Sequence, residues 1–442
     1  MKKVLILIVA VICLVGYSLC DLPVHCMPDK TPGEWSFQLT EQNLSKEQAL
    51  EKCQLKAPLT PSRKFTVTLS TPTLAKDESG NEGNWHNVYD QGFELVIGGN
   101  KYFAFFEYAE QGRTIVSKCG NTFTGLYHEA AVGPKKWGCY KATKTSKVEP
   151  SVFSINEPVS ASNEIVTANE INKLADTWTA TDEYTEDYES KLVPLRRFKA
   201  LIPDNKLAIP IPAAINKDLP STVDWRNVSG VNYVSPVRNQ ASCGSCFSFA
   251  STAALEARIN IASKNTKHVV LSPQDIVSCS PYSQGCNGGF PYLVFKYGED
   301  FGLQTEECYT YEAADTKCTK DKCPGNKRNY VTDYQYIGGY VGGSNEQNIM
   351  EALTHGPVVL NFLVYADFTR YRGGIYIRKS TVIKGGHSVL GVGYGEENGQ
   401  KYWIVKNSWG GDWGENGFFK IRRGADEAGI ESMGPSFATP VI

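Results

Sequence analysis

The stretch Gln240–Phe249 reads Q-A-S-C-G-S-C-F-S-F. Gly244 and Ser245 form a turn and a cap, and Phe247, Ala250, Ala254, Ala257 and Ile261 then recur at helical spacing. That stripe buries the helix in a core and leaves Cys246 at its exposed first turn, with Cys243 on the preceding loop. A thiol at a helix N-terminus ionises readily, because the positive helix end stabilises the thiolate. Cys246 is therefore the candidate nucleophile. Three plainer readings compete. A zinc half-site lacks a second closely spaced pair, and the chain has only 6 His. A redox pair lacks a preceding strand, while a simple disulfide cysteine stays open on this stretch alone.

A thiol nucleophile needs a base, a group to orient that base, and donors for the oxyanion. His387 opens the apolar run H-S-V-L-G-V-G-Y-G, and Lys401–Asn407 is a second run, K-Y-W-I-V-K-N. Between them Glu396-Glu397-Asn398-Gly399 signals a hairpin loop. Folding about that loop sets His387 opposite Asn407 or its neighbour, within the reach of directly opposed side chains.

Q-x-x-C-G-S-C-aromatic, the His387 strand, and K-N-S-W-G-x-x-W-G-E-N-G-F-F from Lys406 together resemble the papain family of cysteine peptidases. The family pattern has Trp or Tyr where this chain has Phe247. The resemblance implies Cys246 as nucleophile, His387 as base and acid, and Asn407 as the residue orienting His387. It further implies an oxyanion hole from the Gln240 side chain and the Cys246 N–H, and Trp409 as a shield over the His–Asn bond.

Length and charge frame the rest. A chain of 442 residues exceeds one core, so two or three units are expected. A formal net charge of −2, from 45 basic and 47 acidic residues, leaves no nucleic-acid footprint. Residues 1–20 read as a signal peptide: Lys2 and Lys3, then an apolar core from Val4 to Val15, then Ser18 and Cys20 before the cut. Cleavage there makes Asp21 the new terminus. No later run is long enough for a membrane span. Apart from Cys13, Cys20 and Cys246, ten cysteines remain, enough for five bridges in an oxidising compartment. Spacing leaves their connectivity open. Asn43 and Asn227 sit in glycosylation sequons.

Residues 21–140 read as all-β. F-E-L-V-I, G-G-N and K-Y-F-A-F-F-E-Y make a hairpin with a Gly-Asn turn, and Trp35, Trp85 and Trp137 suggest a small barrel or sandwich. Such aromatics serve a carbohydrate-binding module or, more commonly, a core. Residues 141–218 read as a removable propeptide or a linker. Val148–Glu170 is rich in Ser, Asn and Glu, Ile171–Trp178 is a short amphipathic piece, and Thr179–Glu189 is acidic and solvated. Ala208–Ala214 is extended and exposed. Residues 219–442 form the catalytic part. A second helix starts at Ser272, Gly288-Gly289 lets another backbone approach, and a first β-lobe strand runs from His355 to Val364. The expected fold class is α+β: a two-lobed papain-like domain, helical lobe plus β lobe, behind a small all-β domain.

The likeness extends to the dipeptidyl-peptidase branch of that family. It is carried by S-P-V-R-N-Q-A-S-C-G-S-C, G-C-N-G-G-F-P-Y, D-E-x-x-I-E-S, and in the N-terminal part by D-x-P-x-x-C at Asp21, Y-D-Q-G-F-E-L-V and W-T-A-T. That resemblance implies an exclusion domain, removal of dipeptides from free N-termini, and Asp21 as the anchor for the substrate's ammonium. It also implies an activating protease, a homotetramer, and a lysosome-like compartment or secretion. The implied bridges are Cys26–Cys119, Cys53–Cys139, Cys243–Cys286, Cys279–Cys318 and Cys308–Cys323. No metal is implied. Chloride is, near Phe290 and Tyr292, with Val341 at the third position beside Tyr340. In the loop from Tyr376 to His387, shorter than the family's, Arg378-Lys379 is the site at which a cut between heavy and light chains would be expected. A papain-type endopeptidase with a β appendage is the alternative activity, and a non-enzymatic binding protein the other.

Overall fold

The computed structural model describes residues 24–111, 114–131, 135–154, 167–184, 186–193, 218–319, 325 and 327–442. The leader, Asp21, Ala208–Ala214 and Cys323 lie outside the described residues, as does much of the 141–218 stretch.

The N-terminal part is a closed antiparallel barrel. Its strands are β1 Gly33–Leu39, β2 Arg63–Ser70, β3 Leu74–Asp77, β4 Glu82–Val88, β5 Gly92–Ile97, β6 Asn100–Gln111, β7 Thr114–Thr122, β8 Gly125–Glu129 and β9 Trp137–Lys144. They pair in the order β1-β2-β3-β4-β5-β6-β8-β9, and β9 pairs back with β1 to close the ring. Closure removes the open edges that would otherwise recruit other strands. The hairpin expected between β5 and β6 forms, but its turn is Gly98-Gly99, both at positive φ, and Asn100 is already paired with Ile97. Two adjacent positive-φ residues suit the right-handed twist of a tight hairpin. The three tryptophans are core residues, all at most 3% exposed. Phe37 stacks on Tyr140 inside the barrel, while Trp137 leaves it to stack on Phe301 of the catalytic part.

The catalytic part has two lobes. The helical lobe is built on Cys246–Ala262, with Pro273–Cys279 and Pro291–Asp300 beside it. Ser272 caps the second of these by accepting from Asp275 N–H at 3.0 Å. The long helix is not amphipathic as its stripe suggests. Ser248, Ser251, Thr252 and Glu256 are buried along with the apolar residues, because lobes close over both faces. The β lobe is a nine-stranded sheet whose centre is Val358–Tyr365, Ile383–Glu397 and Gln400–Lys406. Every residue of Val358–Tyr365 is buried.

Residues 167–184 and 186–193 dock on this lobe through a helix, a strand and two tyrosines. Thr167 and Glu170 form a capping box at the helix Ala168–Leu174. Trp178–Ala180 adds a strand alongside Tyr371–Tyr376, and Trp178 Nε1 donates to Ile377 O at 3.0 Å. The acidic residues Asp182, Glu183, Glu186, Asp187 and Glu189 are exposed, as expected, while Tyr188 between them is buried and Tyr184 Oη donates to Tyr371 O at 2.9 Å.

Barrel and catalytic part meet across a buried polar seam. Glu94 on β5 accepts from Tyr334 Oη at 2.7 Å and from Tyr292 Oη at 2.9 Å. Burial alone would raise its carboxyl, but Lys101 and Lys296 outweigh burial and hold it below the usual range. Lys101 reaches Glu299 at 2.8 Å, and His128 reaches Asp300 at 2.9 Å. Charges buried this deeply persist only when paired, so the seam holds the barrel in one place against the cleft.

Candidate active site

Cys246 opens the long helix, and its loop is fixed by a disulfide. Cys243 is bonded to Cys286, and Gly244 N–H donates to Cys286 O at 2.7 Å. A Cβ on Gly244 would lie 2.6 Å from that carbonyl oxygen, so only glycine fits. Ser245 takes the cap position without capping: its hydroxyl bonds Tyr311 Oη at 2.6 Å instead. Four of the expected bridges are present: Cys26–Cys119, Cys53–Cys139, Cys243–Cys286 and Cys279–Cys318. Cys308 is also disulfide-bonded, and its expected partner Cys323 lies outside the described residues. Among the described residues Cys246 is the cysteine that lies outside a disulfide.

His387 and Asn407 meet as the hairpin suggested, by a different route. The loop is the two-residue turn Asn398-Gly399, and strand pairing ends at Leu390 with Lys406. A bulge at Gly391–Gly393 shifts the register, so His387 pairs in the backbone with Phe362 instead. Beyond the ladder the side chains still join: His387 Nε2 lies 2.8 Å from Asn407 Oδ1. Since Oδ1 can only accept, Nε2 carries the proton and Nδ1 is left as the basic atom. Nδ1 is buried without a hydrogen-bond partner. Trp409 stacks on the His387 ring at 4.8 Å, which keeps water from the His–Asn bond.

Gln240 is oriented from three sides. Its N–H donates to Ser408 O at 2.9 Å, and its Oε1 accepts from Ser408 Oγ at 2.6 Å. That leaves Nε2 as donor, to Cys243 O at 2.8 Å and to Lys191 O at 2.9 Å. A fixed amide N–H₂ beside a helix N-terminus can stabilise a developing oxyanion.

The sequence placed Cys246 at an exposed helix end. In the structure Cys246, His387 and Gln240 are all 0% exposed. Residues 186–193 pack on Gln240, Trp409 and the strand beside His387. Tyr188 stacks on Trp409 at 5.0 Å, and Lys191 Nζ binds Glu186 at 2.5 Å and Asn239 Oδ1 at 2.8 Å. Val193 pairs both ways with Gly386, at 3.0 and 2.8 Å. Burial pushes the His387 imidazole down to about 4, against the Asn407 bond that favours its charged form, and Lys191 lowers it further. A covered site thus holds the imidazole neutral. Nothing in the sequence patterning marked Tyr188 and Lys191 as site residues; two aromatic residues in an acidic run were the only sign.

Gly288 and Gly289 are both buried, and their glycines have structural reasons. Gly288 has φ +115°, and a Cβ on Gly289 would meet the Phe247 ring at 2.6 Å. Phe290 and Tyr292 follow, also buried. The residue stacked on Tyr292 is Tyr336, at 4.4 Å, and not Tyr340 or Val341. Tyr292 Oη is engaged by Glu94 and His86, whereas Tyr336 Oη is buried without a partner.

His128, Glu299 and Asp300 group as metal-ligand types among the described residues. Their carboxylates are matched by ammonium groups, with Lys296 at 3.1 Å from Asp300 and Lys101 at 2.8 Å from Glu299. Such a site has no negative charge left to attract a dication.

Residues 219–437 match the papain family cysteine protease family, and residues 21–144 match the cathepsin C exclusion domain. Cathepsin C of Schistosoma mansoni is 35% identical over 98% of both chains. Pro-cathepsin H of Mus musculus is 41% identical over 50% of this chain and 66% of its own. Among solved structures, the proform of the ragweed pollen cysteine protease Amb a 11 superposes with a TM-score of 0.50 at 28% identity, over 61% of this chain and 84% of that one.

Proposed function

Because this chain belongs to the papain family of cysteine peptidases and carries a cathepsin C exclusion domain, we propose that it removes dipeptides from the free N-termini of peptides and proteins. Cys246 is the nucleophile. His387 Nδ1 takes its proton, the thiolate adds to the scissile carbonyl, and the oxyanion is held by Gln240 Nε2 and the Cys246 N–H. The imidazolium then protonates the leaving amine. Water, deprotonated by the same nitrogen, releases the dipeptide from the thioester. Asn407 keeps His387 in the required tautomer, and Gly288-Gly289 offers the extended backbone with which a substrate pairs.

One observation carries the exopeptidase reading: Tyr89 of the barrel stacks on Phe290 at 4.0 Å. Phe290 directly follows Gly288-Gly289, so the barrel abuts the wall of the cleft. An ordinary papain-type cleft is open at both ends. A domain seated here obstructs one end, and Asp21 supplies a carboxylate for the substrate's α-ammonium. The experiment is product length: a long unblocked peptide is incubated with activated protein and its products weighed. Successive dipeptides are expected, with no cleavage of the N-acetylated peptide. Internal cuts would favour the endopeptidase reading.

An activating protease frees the site by cutting out the covering segment. The bridges accord with a secretory route, ending in a lysosome-like compartment or outside the cell. Chloride is proposed as a ligand near Phe290 and Tyr292, with the Tyr336 hydroxyl as the donor available to it. Exchange into chloride-free acetate tests it, by a change in activity that chloride restores.

A further inference from the structure

An amide stands at the centre of the buried strand Val358–Tyr365. Asn361 is 1% exposed, between Leu360 and Phe362, where the interior favours apolar side chains. An unpaired amide there would be costly, so its partners account for it. Its Oδ1 accepts from Ser388 Oγ at 2.7 Å. Its Nδ2 donates to Met433 O and Gly434 O, each at 3.1 Å, and to Tyr89 Oη at 3.3 Å. The two carbonyls fix the orientation of the amide, because the reverse would set Oδ1 against two acceptors. Oδ1 can only accept, so Ser388 is the donor to it.

Asn361 thus joins the barrel, the turn at 433–434 and the residue that follows the base. Tyr89 is the barrel's share. It stacks on Phe290 at 4.0 Å and is held at φ +51°, a setting that a non-glycine residue keeps where its surroundings fix it. Backbone pairing sets Asn361 opposite Ser388 and Phe362 opposite His387. Side chains alternate along a strand, so Asn361 and Ser388 share one face while Phe362 and His387 share the other. The rings of the second pair lie 5.9 Å apart.

The ladder around His387 is irregular on both sides. Gly385 and Gly386 precede it, and the pairing with Val358–Tyr365 shifts between Val364 and Tyr365. The pairing with Gln400–Lys406 shifts at Gly391–Gly393. Between these shifts the Ser388–Asn361 bond clamps the peptide that carries the imidazole.

We propose that Asn361 and Ser388 are positioning residues for His387, and that Tyr89 of the barrel acts on the base through them. Their bond holds the register of His387 against Phe362, and with it the aim of Nδ1 at Cys246. The barrel then serves the chemistry as well as the shape of the cleft. Cutting the network costs catalytic rate before substrate affinity. The proposal rests on the cysteine peptidase mechanism and holds wherever the substrate's N-terminus is bound.

The test uses activated full-length protein, a free-amine dipeptidyl amide, and alkylation of Cys246 by iodoacetamide across pH. Ser388→Ala is expected to lower kcat about fivefold, with KM within about twofold. Alkylation requires the thiolate, so its pH profile reports how readily Nδ1 takes the thiol proton. The midpoint of that profile is expected to rise by about half a unit in Ser388→Ala. Tyr89→Phe, which keeps the ring on Phe290, is expected to move kcat and midpoint the same way and by less. Ser388→Thr keeps the hydroxyl and is expected to stay near wild type. The double variant Ser388→Ala with Tyr89→Phe is expected to be no worse than Ser388→Ala, because both act along one path. An unchanged profile in Ser388→Ala overturns the proposal, as does a raised KM with kcat held. So does a loss of active thiols in which the remaining sites keep the wild-type profile, the mark of a fold defect. If Ser388→Ala behaves as expected and Tyr89→Phe matches wild type, the barrel's share is overturned and the clamp stands. Alkylation needs no substrate, so it decides the proposal even if wild type makes internal cuts.

Discussion

The Lys191 carbonyl accepts the Gln240 Nε2 hydrogen bond at 2.9 Å, so the donor proposed for the oxyanion is already in use in the covered protein. The cover is fastened at separate points: Tyr188 on Trp409, Lys191 on Glu186 and Asn239, and Val193 on Gly386. Tyr188 is the apolar one. Truncating it forfeits ring stacking worth about 0.5–1.5 kcal/mol beyond its buried area. Tyr188→Ala is therefore expected to speed alkylation of Cys246 in the uncleaved protein by on the order of tenfold or more. Equal rates in variant and wild type would mean that the cover does not open through this residue.

Acid should loosen the same cover. His387 sits at about 4 in the covered site against 6.5 in water. Its pKa is depressed, so an opened form binds a proton between these values while the covered form does not. Stability of the covered form is thus lost as pH falls from about 6.5 to about 4, by about 3 kcal/mol in all. The measurement is Cys246 alkylation in the uncleaved protein relative to the activated enzyme. That ratio should rise between pH 7 and pH 4.5, and a flat ratio excludes His387 as the sensor.

Gln240→Ala separates the oxyanion role from a binding role. Loss of one such donor lowers kcat by on the order of 10²–10³, because the bond strengthens only in the transition state. KM should hold. In the uncleaved protein the same change removes the bond to Lys191, so Cys246 alkylation should quicken while turnover falls. A rise in KM with kcat intact would make Gln240 a substrate-binding residue.

The sequence carried the catalytic residues because each sits in a local pattern. Cys246 begins a helix stripe, and His387 and Asn407 flank one hairpin. It could not carry the register. The bulge at Gly391–Gly393 is invisible in residue types, since either glycine could lie in a regular ladder. Nor could it carry burial. Residues 186–193, far away in the chain, pack on Gln240, Trp409 and Gly386 through contacts that composition does not encode. The acidic residues of Thr179–Glu189 are exposed as their charge implies, and the docking comes from the tyrosines between them, which a count of charge leaves out. Nor does counting along a loop show which side chain lies on Tyr292, which is Tyr336.

The bond between Arg378 and Lys379 was the expected point of chain cleavage. The structure ties it down. Arg378 N–H donates to Glu427 Oε1 at 3.3 Å, and its guanidinium lies over the Tyr365 ring at 4.8 Å. Lys379 N–H donates to Asp367 Oδ2 at 2.6 Å, and Ser380 N–H to the same oxygen at 3.3 Å. A protease needs several residues in extended form, which here requires local unfolding. Limited trypsin digestion is expected to leave this bond intact, and Asp367→Ala to make it labile. A wild-type fragment beginning at Lys379 would refute this.

Asp21→Ala tests the proposed anchor itself. With the proposed removal of the leader, Asp21 becomes the chain terminus, in D-L-P-V-H-C. Cys26, five residues on, is bridged to Cys119. A carboxylate there forms a charge-assisted bond with the substrate's ammonium, about twice as strong as a neutral one. Loss of such a bond should lower kcat/KM for free-amine dipeptidyl amides by about 10–100-fold. Blocked substrates should gain little, because the barrel still obstructs the cleft: Glu94, Lys101 and His128 hold it to Tyr334, Glu299 and Asp300 whatever occupies position 21. If Asp21→Ala hydrolyses free-amine amides as well as wild type does, the ammonium is held by another group.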